Sequence, residues 1–256
     1  MLLLHSQSFP HYGLERFFQF AKDAGFDGVE IMINENFDTQ SPSYLKKLEE
    51  RFGLPIKAFS LPSKKEEELY MAFQETVKEF NDVVLNLTTP QSFAFKYKKW
   101  INNTVPQLCQ KCNLRLNFRN APAQMMLGMI PQRNDNSLFS LKEKGHVCLD
   151  LSALWANKEE IMKPIGFLGD KLRHVYLSNV HKNLAYSPLP TGVLPLESFL
   201  RKLAQMHYSK DFTLVLSPSS LHEGEDAKLL EILKESKQFF ADFFTNAQAV
   251  NTGVTE

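Results

Sequence analysis

Eight short apolar runs, separated by longer amphipathic stretches over 256 residues, are what most narrows the folds open to this chain. They are Leu2 to His5, Gly28 to Ile33, Ile56 to Phe59, Val83 to Asn86, Leu114 to Phe118, Val147 to Asp150, His174 to Leu177 and Phe212 to Leu216. Each has the length and composition of a buried strand, and most of the intervening stretches carry the apolar spacing of helices. Strands alternating with helical crossovers build a parallel sheet. Eight such units close it into a barrel of about 250 residues. The predicted fold class is therefore α/β, a (β/α)8 TIM barrel, with residues 1–245 forming one domain. The small, polar stretch 246–256 reads as a disordered tail.

The helix signals fit this division. Leu14 to Ala24 places Phe17, Phe18 and Ala21 on one face and stops at Gly25. Ser41-Pro42 opens a helix that runs to Phe52, before Gly53. Further helices are expected from about Lys65 to Phe80, from Phe93 to Cys112 with a restart at Pro106, and from Asp226 to Phe244. Between Ala123 and Lys144 the periodicity is broken by Gly128 and Pro131.

Composition narrows the partners. Lys plus Arg and Asp plus Glu both number 29, so the basic surface through which duplex binders neutralise phosphates is not evident, and no nucleic-acid partner is expected. No run approaches the roughly 18 apolar residues of a membrane span. Met1-Leu2-Leu3-Leu4-His5 is too short for a signal core and has no basic start, so the expected location is cytoplasmic, with no membrane partner. Cys109-Gln-Lys-Cys112 matches a C-x-x-C spacing, but only Cys148 remains to accompany it. The pair reads as two small apolar helix positions rather than a redox or zinc site.

Three stretches carry a family resemblance. They are Ala24-Gly25-Phe26-Asp27-Gly28-Val29-Glu30-Ile31, Val147-Cys148-Leu149-Asp150-Leu151-Ser152-Ala153, and the segment from His174 to Asn179 through Gly192-Val193-Leu194-Pro195-Leu196 to Phe212–Pro218. In order and spacing they resemble the xylose isomerase-like barrels, a superfamily that includes sugar phosphate isomerases and epimerases and endonuclease IV.

That resemblance implies a barrel mouth where His, Glu and Asp side chains hold divalent metal, because imidazole nitrogen and carboxylate oxygen suit Zn, Mn or Mg. The metal would polarise a carbonyl and stabilise an enediolate, or activate water against a phosphodiester. At the matching positions this chain instead has Ser60, Asn86, Arg119, Ala153, Tyr176, Asn179, Tyr186 and Val215; Asp150 keeps its carboxylate, as does Glu30 on the second strand. One carboxylate does not hold a divalent ion against water, and an arginine at a ligand position brings a permanent cation. The expectation is a family scaffold with no metal and no cofactor.

Candidate catalytic residues are then Glu30 and Asp150, and candidate ligand-binding residues are Arg119, Tyr176, Asn179, Asn86, Ser60 and His181. Arg119 either pairs with Asp150 or takes a carboxylate or phosphate through its two-pronged edge. His5, His174 and His207 match no ligand position and read as structural. Three functions remain open: a non-catalytic binder of a small sugar, polyol or anionic metabolite, a metal-independent sugar (phosphate) isomerase or epimerase using Glu30 or Asp150 with Arg119, and, last, an abasic-site endonuclease.

Overall fold

The structure is a computed structural model in which residues 1–62, 67–90, 94–122, 125–126, 130–131 and 137–251 are described. Eight strands form a closed barrel: β1 (Leu2–His5), β2 (Gly28–Met32), β3 (Ile56–Ser60), β4 (Val84–Thr88), β5 (Arg115–Arg119), β6 (His146–Asp150), β7 (Leu172–Leu177) and β8 (Asp211–Leu214). All pairs are parallel, and β8 returns to β1 through Leu2↔Phe212, Leu3↔Thr213 and Leu4↔Leu214, leaving no open sheet edge. The fifth strand extends to Arg119 and the seventh begins at Leu172, shifts of one or two residues from the sequence reading.

Side chains alternate faces along each strand. Leu2, Leu4, Val29, Ile31, Phe59, Leu85, Val147, Leu149, Val175 and Leu177 belong to the large apolar shell beneath the helices. Leu3, Ala58 and Val84 form a separate small apolar cluster at the barrel floor. Above that floor the inward positions are His5, Glu30, Ser60, Asn86, Asn117, Cys148, His174, Tyr176 and Thr213, all buried. Barrel interiors are ordinarily filled by branched apolar residues. This one is mostly polar, which fixes where to look for a site.

Phenylalanines close the outer layer. The Phe212 ring lies 5.0 Å from Phe240 and 4.7 Å from Phe244, clamping the last helix, Asp226–Phe240, against β8. That helix continues through a π turn, Ala241–Thr245, into Asn246–Asn251. The disordered tail expected from residue 246 therefore does not begin there, because Ala247 packs on the core and the Gln248 amide donates to the Tyr208 carbonyl. Residues 252–256 lie outside the described residues.

Two further segments depart from the sequence reading. The helix ending at Cys112 is described from Phe95 and widens into a π turn at Trp100–Thr104, where Val105 donates to the Trp100 carbonyl. Pro106, which has no N–H and crowds the preceding turn, accounts for the irregularity. Among the described residues of 123–144 a helix spans Leu138–Lys144, capped by the Ser137 hydroxyl. Upstream, Met125–Met126 pairs antiparallel with Ile130–Pro131. The rest of 123–136, like the helix starts expected at Lys65 and Phe93, lies outside the described residues. Cys109 and Cys112 are free thiols on a helix packed against the core, and burial pushes the Cys109 thiol up to about 11. Among the described residues no helix is long and apolar enough to cross a membrane.

Candidate functional site

Glu30 is the third residue of β2 and is fully buried, at 0% exposure. Its side-chain partners come from four other strands. One carboxylate oxygen accepts from the Tyr176 hydroxyl and lies 3.5 Å from His5 Nε2. The other accepts from Thr213 Oγ1 at 2.8 Å and Asn86 Nδ2 at 3.1 Å. The Asn86 side-chain oxygen in turn accepts from Asn117 at 3.0 Å.

The hydrogen bonds assign the histidines. His5 Nδ1 accepts from the Gln7 amide, which places its proton on Nε2, 3.1 Å from the Ser60 hydroxyl. Thr213 gives its proton to Glu30 and so accepts from His174 Nε2 at 2.7 Å, leaving His174 Nδ1 buried without a partner. Burial, the largest effect on His174, lowers its pKa, with Glu30 as the largest opposing effect. Burial alone would raise Glu30, but His5 first, then His174 and the Tyr176 hydroxyl, more than offset it and hold the carboxyl down at about 2. The result is an ionised carboxylate sealed inside a polar core.

The barrel mouth lies above this layer. A pocket of about 180 Å³ is lined by Gln7, Arg119, Asn120, Asp150, Tyr186 and Ser217, together with Ala121, Pro122, Val215, Leu216 and Pro218. Asp150 ends β6 and caps the short helix Leu151–Ala156, its Oδ1 accepting from the Ala153 amide at 3.0 Å. Its Oδ2 accepts from the Tyr186 hydroxyl at 3.0 Å, and the Asn120 side chain grips its backbone on both sides. Burial raises the Asp150 pKa, with Arg119 as the largest opposing effect.

Tyr186 belongs to the antiparallel hairpin of Asn179–His181 and Leu184–Ser187, whose turn residues Lys182 and Asn183 both have positive φ. Tyr186 itself is held at φ 59°, an uncommon conformation for an aromatic residue that here accompanies a side chain reaching Asp150.

Arg119 does not pair with Asp150, correcting one of the two expectations for it. Its guanidinium lies over the Tyr176 ring, 5.0 Å from the centroid, and its Nε is buried without a hydrogen bond. Among the described residues the Arg119 side chain forms no hydrogen bond or ion pair, although only 8% of the residue is exposed.

The structure thus brings Glu30, Tyr176, Asn86 and Ser60 together in the sealed interior, and Arg119 and Asp150 together at the mouth. Asn179 stands apart: its side chain donates to the Leu189 carbonyl and accepts from the Val180 and Leu194 amides. Gly192 fits against it only because a Cβ there would lie 2.2 Å from Asn179 Cγ. His181 is exposed on the hairpin and does not line the pocket. His5 and His174, read only as structural, prove to be partners of Glu30, while His207 is exposed. Sequence reasoning did not single out Thr213, Asn117, Gln7, Asn120 or Ser217 and gave Tyr186 no role. Period-2 alternation stepped back from the motif positions Arg119 and Val215 is the signal that would have found Asn117 and Thr213.

The residues present do not fit a divalent ion. Both Asp150 oxygens are engaged, a guanidinium stands beside them, and the other family positions offer hydroxyl, amide or hydrocarbon groups. Among the described residues no group of three or more His, Cys, Asp or Glu is placed to hold a metal.

Neither a protein-family model nor a curated protein sequence matches the chain. Solved structures do match it along nearly its whole length. An L-ribulose 3-epimerase shares 15% identity at TM-score 0.72, covering 100% of this chain and 98% of that one. A D-allulose 3-epimerase from Methylomonas sp., in complex with D-allulose, shares 13% identity at TM-score 0.70, with 95% and 96% covered. A xylose isomerase domain protein from Alicyclobacillus acidocaldarius subsp. acidocaldarius shares 14% identity at TM-score 0.68, with 94% and 99% covered. At such identities the likeness is one of fold, and by fold this chain is a (β/α)8 barrel of the xylose isomerase-like kind.

Proposed function

We propose that this protein is a barrel of the sugar isomerase/epimerase type that holds a small sugar, polyol or anionic metabolite at its mouth without a divalent metal and without turning it over. The observation that carries this reading is the burial of Glu30. A general base must come within about 2.6–3.2 Å of the atom whose proton it removes, and Glu30 is fully enclosed with both oxygens engaged. Proton transfer at a sugar carbon needs groups on two sides of that carbon, and among the described residues only Asp150 brings a carboxylate to the pocket. In this reading the protein is cytoplasmic and its partner is a small molecule rather than a nucleic acid or a membrane.

A metal-independent isomerase is favoured by one observation, the presence of Asp150, raised by burial, in the same pocket as Arg119. In that scheme Asp150 would move the proton and Arg119 would stabilise the enediolate. Exchange of solvent deuterium into D-allulose, L-ribulose and their phosphates, with and without added Mn²⁺, separates the two. The proposed binder leaves exchange at the buffer rate in both cases. Exchange without metal that is lost in Asp150→Asn supports the isomerase, and exchange that requires Mn²⁺ contradicts both.

A further inference from the structure

We infer that the mouth pocket recognises a short hydroxycarboxylate of three or four carbons, with Arg119 taking the carboxylate and Asp150 accepting from the hydroxyl. The inference rests on the reading above that the mouth is a binding site, and it names the ligand class.

Arg119 supplies the first argument. A guanidinium carries five donors and remains charged at any physiological pH. Here only 8% of the residue is exposed and Nε is buried with no hydrogen-bond partner among the described residues, so the cation depends for compensation on what enters the pocket that it lines. Stacking on the Tyr176 ring holds it at a fixed place in the pocket wall. A carboxylate meeting the guanidinium edge makes two parallel charge-assisted bonds.

Size supplies the second. About 180 Å³ corresponds to roughly six water molecules at about 30 Å³ each. It also lies below the roughly 300 Å³ at which ordinary ligand pockets begin. A three-carbon hydroxy acid matches that space, and a hexose exceeds it.

Charge supplies the third. The wall opposite Arg119 holds Asp150, whose oxygens retain lone pairs beyond those used by Ala153 and Tyr186. A ligand hydroxyl is a suitable donor to them. A phosphate dianion would bring two negative charges to one cation beside the Asp150 carboxylate, so a monoanion leaves less charge uncompensated. The remaining wall of Ala121, Pro122, Val215, Leu216 and Pro218 suits a short hydrocarbon backbone.

Titration calorimetry of the purified protein with D-glycerate, glycerol, inorganic phosphate and D-fructose tests this. Glycerate is expected to bind at least about tenfold more tightly than the other three, a margin suited to one charge-assisted pair. Arg119→Gln is expected to abolish that preference, and Arg119→Lys to weaken glycerate binding because an ammonium cannot fork. Should the Arg119 variants not fold, the selectivity of the unmodified protein decides, and Ala121→Leu, which fills the pocket wall, is expected to remove glycerate binding. Equal binding of glycerol and glycerate, preference for phosphate, or no glycerate binding at millimolar concentration overturns the inference. Preference for fructose overturns it while leaving the mouth a binding site, whereas metal-dependent turnover removes the underlying reading itself.

Discussion

Arg119 rests on the face of Tyr176, its guanidinium carbon 5.0 Å from the ring centroid, while the hydroxyl of the same tyrosine donates to Glu30. One residue therefore joins the two halves of the site: its ring holds the cation at the mouth and its hydroxyl satisfies the anion in the interior. Tyr176→Phe separates these roles. The ring remains, so Arg119 is expected to stay in place, but Glu30 loses a buried donor. Urea unfolding is expected to show a loss of about 1–3 kcal/mol, with ligand binding at the mouth little changed. Unchanged stability would show that the hydroxyl does not support the carboxylate.

Glu30 is the hub of the interior, and its removal leaves Asn86, Thr213 and Tyr176 without their common acceptor. Glu30→Ala is expected to cost roughly 3–5 kcal/mol, the scale for breaking a buried charged cluster by deleting one member. Glu30→Gln keeps the shape and one acceptor oxygen and is expected to cost less. Denaturant midpoints of the two variants against the unmodified protein check the order.

The same carboxylate makes stability depend on pH. Its pKa falls from 4.5 in the open chain to about 2 in the fold, so its contribution is complete above about pH 4.5 and is lost as pH falls from there towards 2. The integrated loss is on the order of 3 kcal/mol. His174 acts in the same direction at higher pH: its folded pKa is lowered from 6.5, so acidification below about 6.5 favours the unfolded chain. Thermal unfolding followed from pH 7 to pH 3 is expected to show a continuous decline, shallower below pH 4.5 in Glu30→Gln. A flat profile in the unmodified protein contradicts the assignment of Glu30 as a buried anion.

Phe212 supports the fold independently of the site. It lies under both Phe240 and Phe244, and Phe212→Ala opens a cavity between β8 and the last helix. A cost of about 3–5 kcal/mol is expected. Hydrogen exchange is expected to show earlier opening of the Asp226–Asn251 segment than of the barrel strands.

How far these features were legible in the sequence follows from the physics of each. The barrel was readable because each strand is an apolar run and because Gly25, Gly53 and the Ser41-Pro42 pair punctuate the helices. The pairing of Glu30 with His5, His174 and Thr213 was not, because these residues lie up to 183 positions apart and meet only through barrel closure and register. Arg119 was found as a substitution at a motif position, but its preference for the Tyr176 face over Asp150 depends on the helix cap and the Tyr186 hydroxyl already engaging that carboxylate. Tyr186 was recognised only as a lost histidine. Its role depends on a positive φ in the hairpin, which local sequence does not announce.

The central claim is that this barrel mouth works without a divalent ion. Titration of the chelator-treated protein with Mn²⁺, Zn²⁺ and Mg²⁺, read by calorimetry and by the shift in melting temperature, tests it most directly. The expected result is no stoichiometric binding and no stabilisation by any of the three. One equivalent of metal bound at micromolar affinity, lost on substitution of Asp150, would contradict the account.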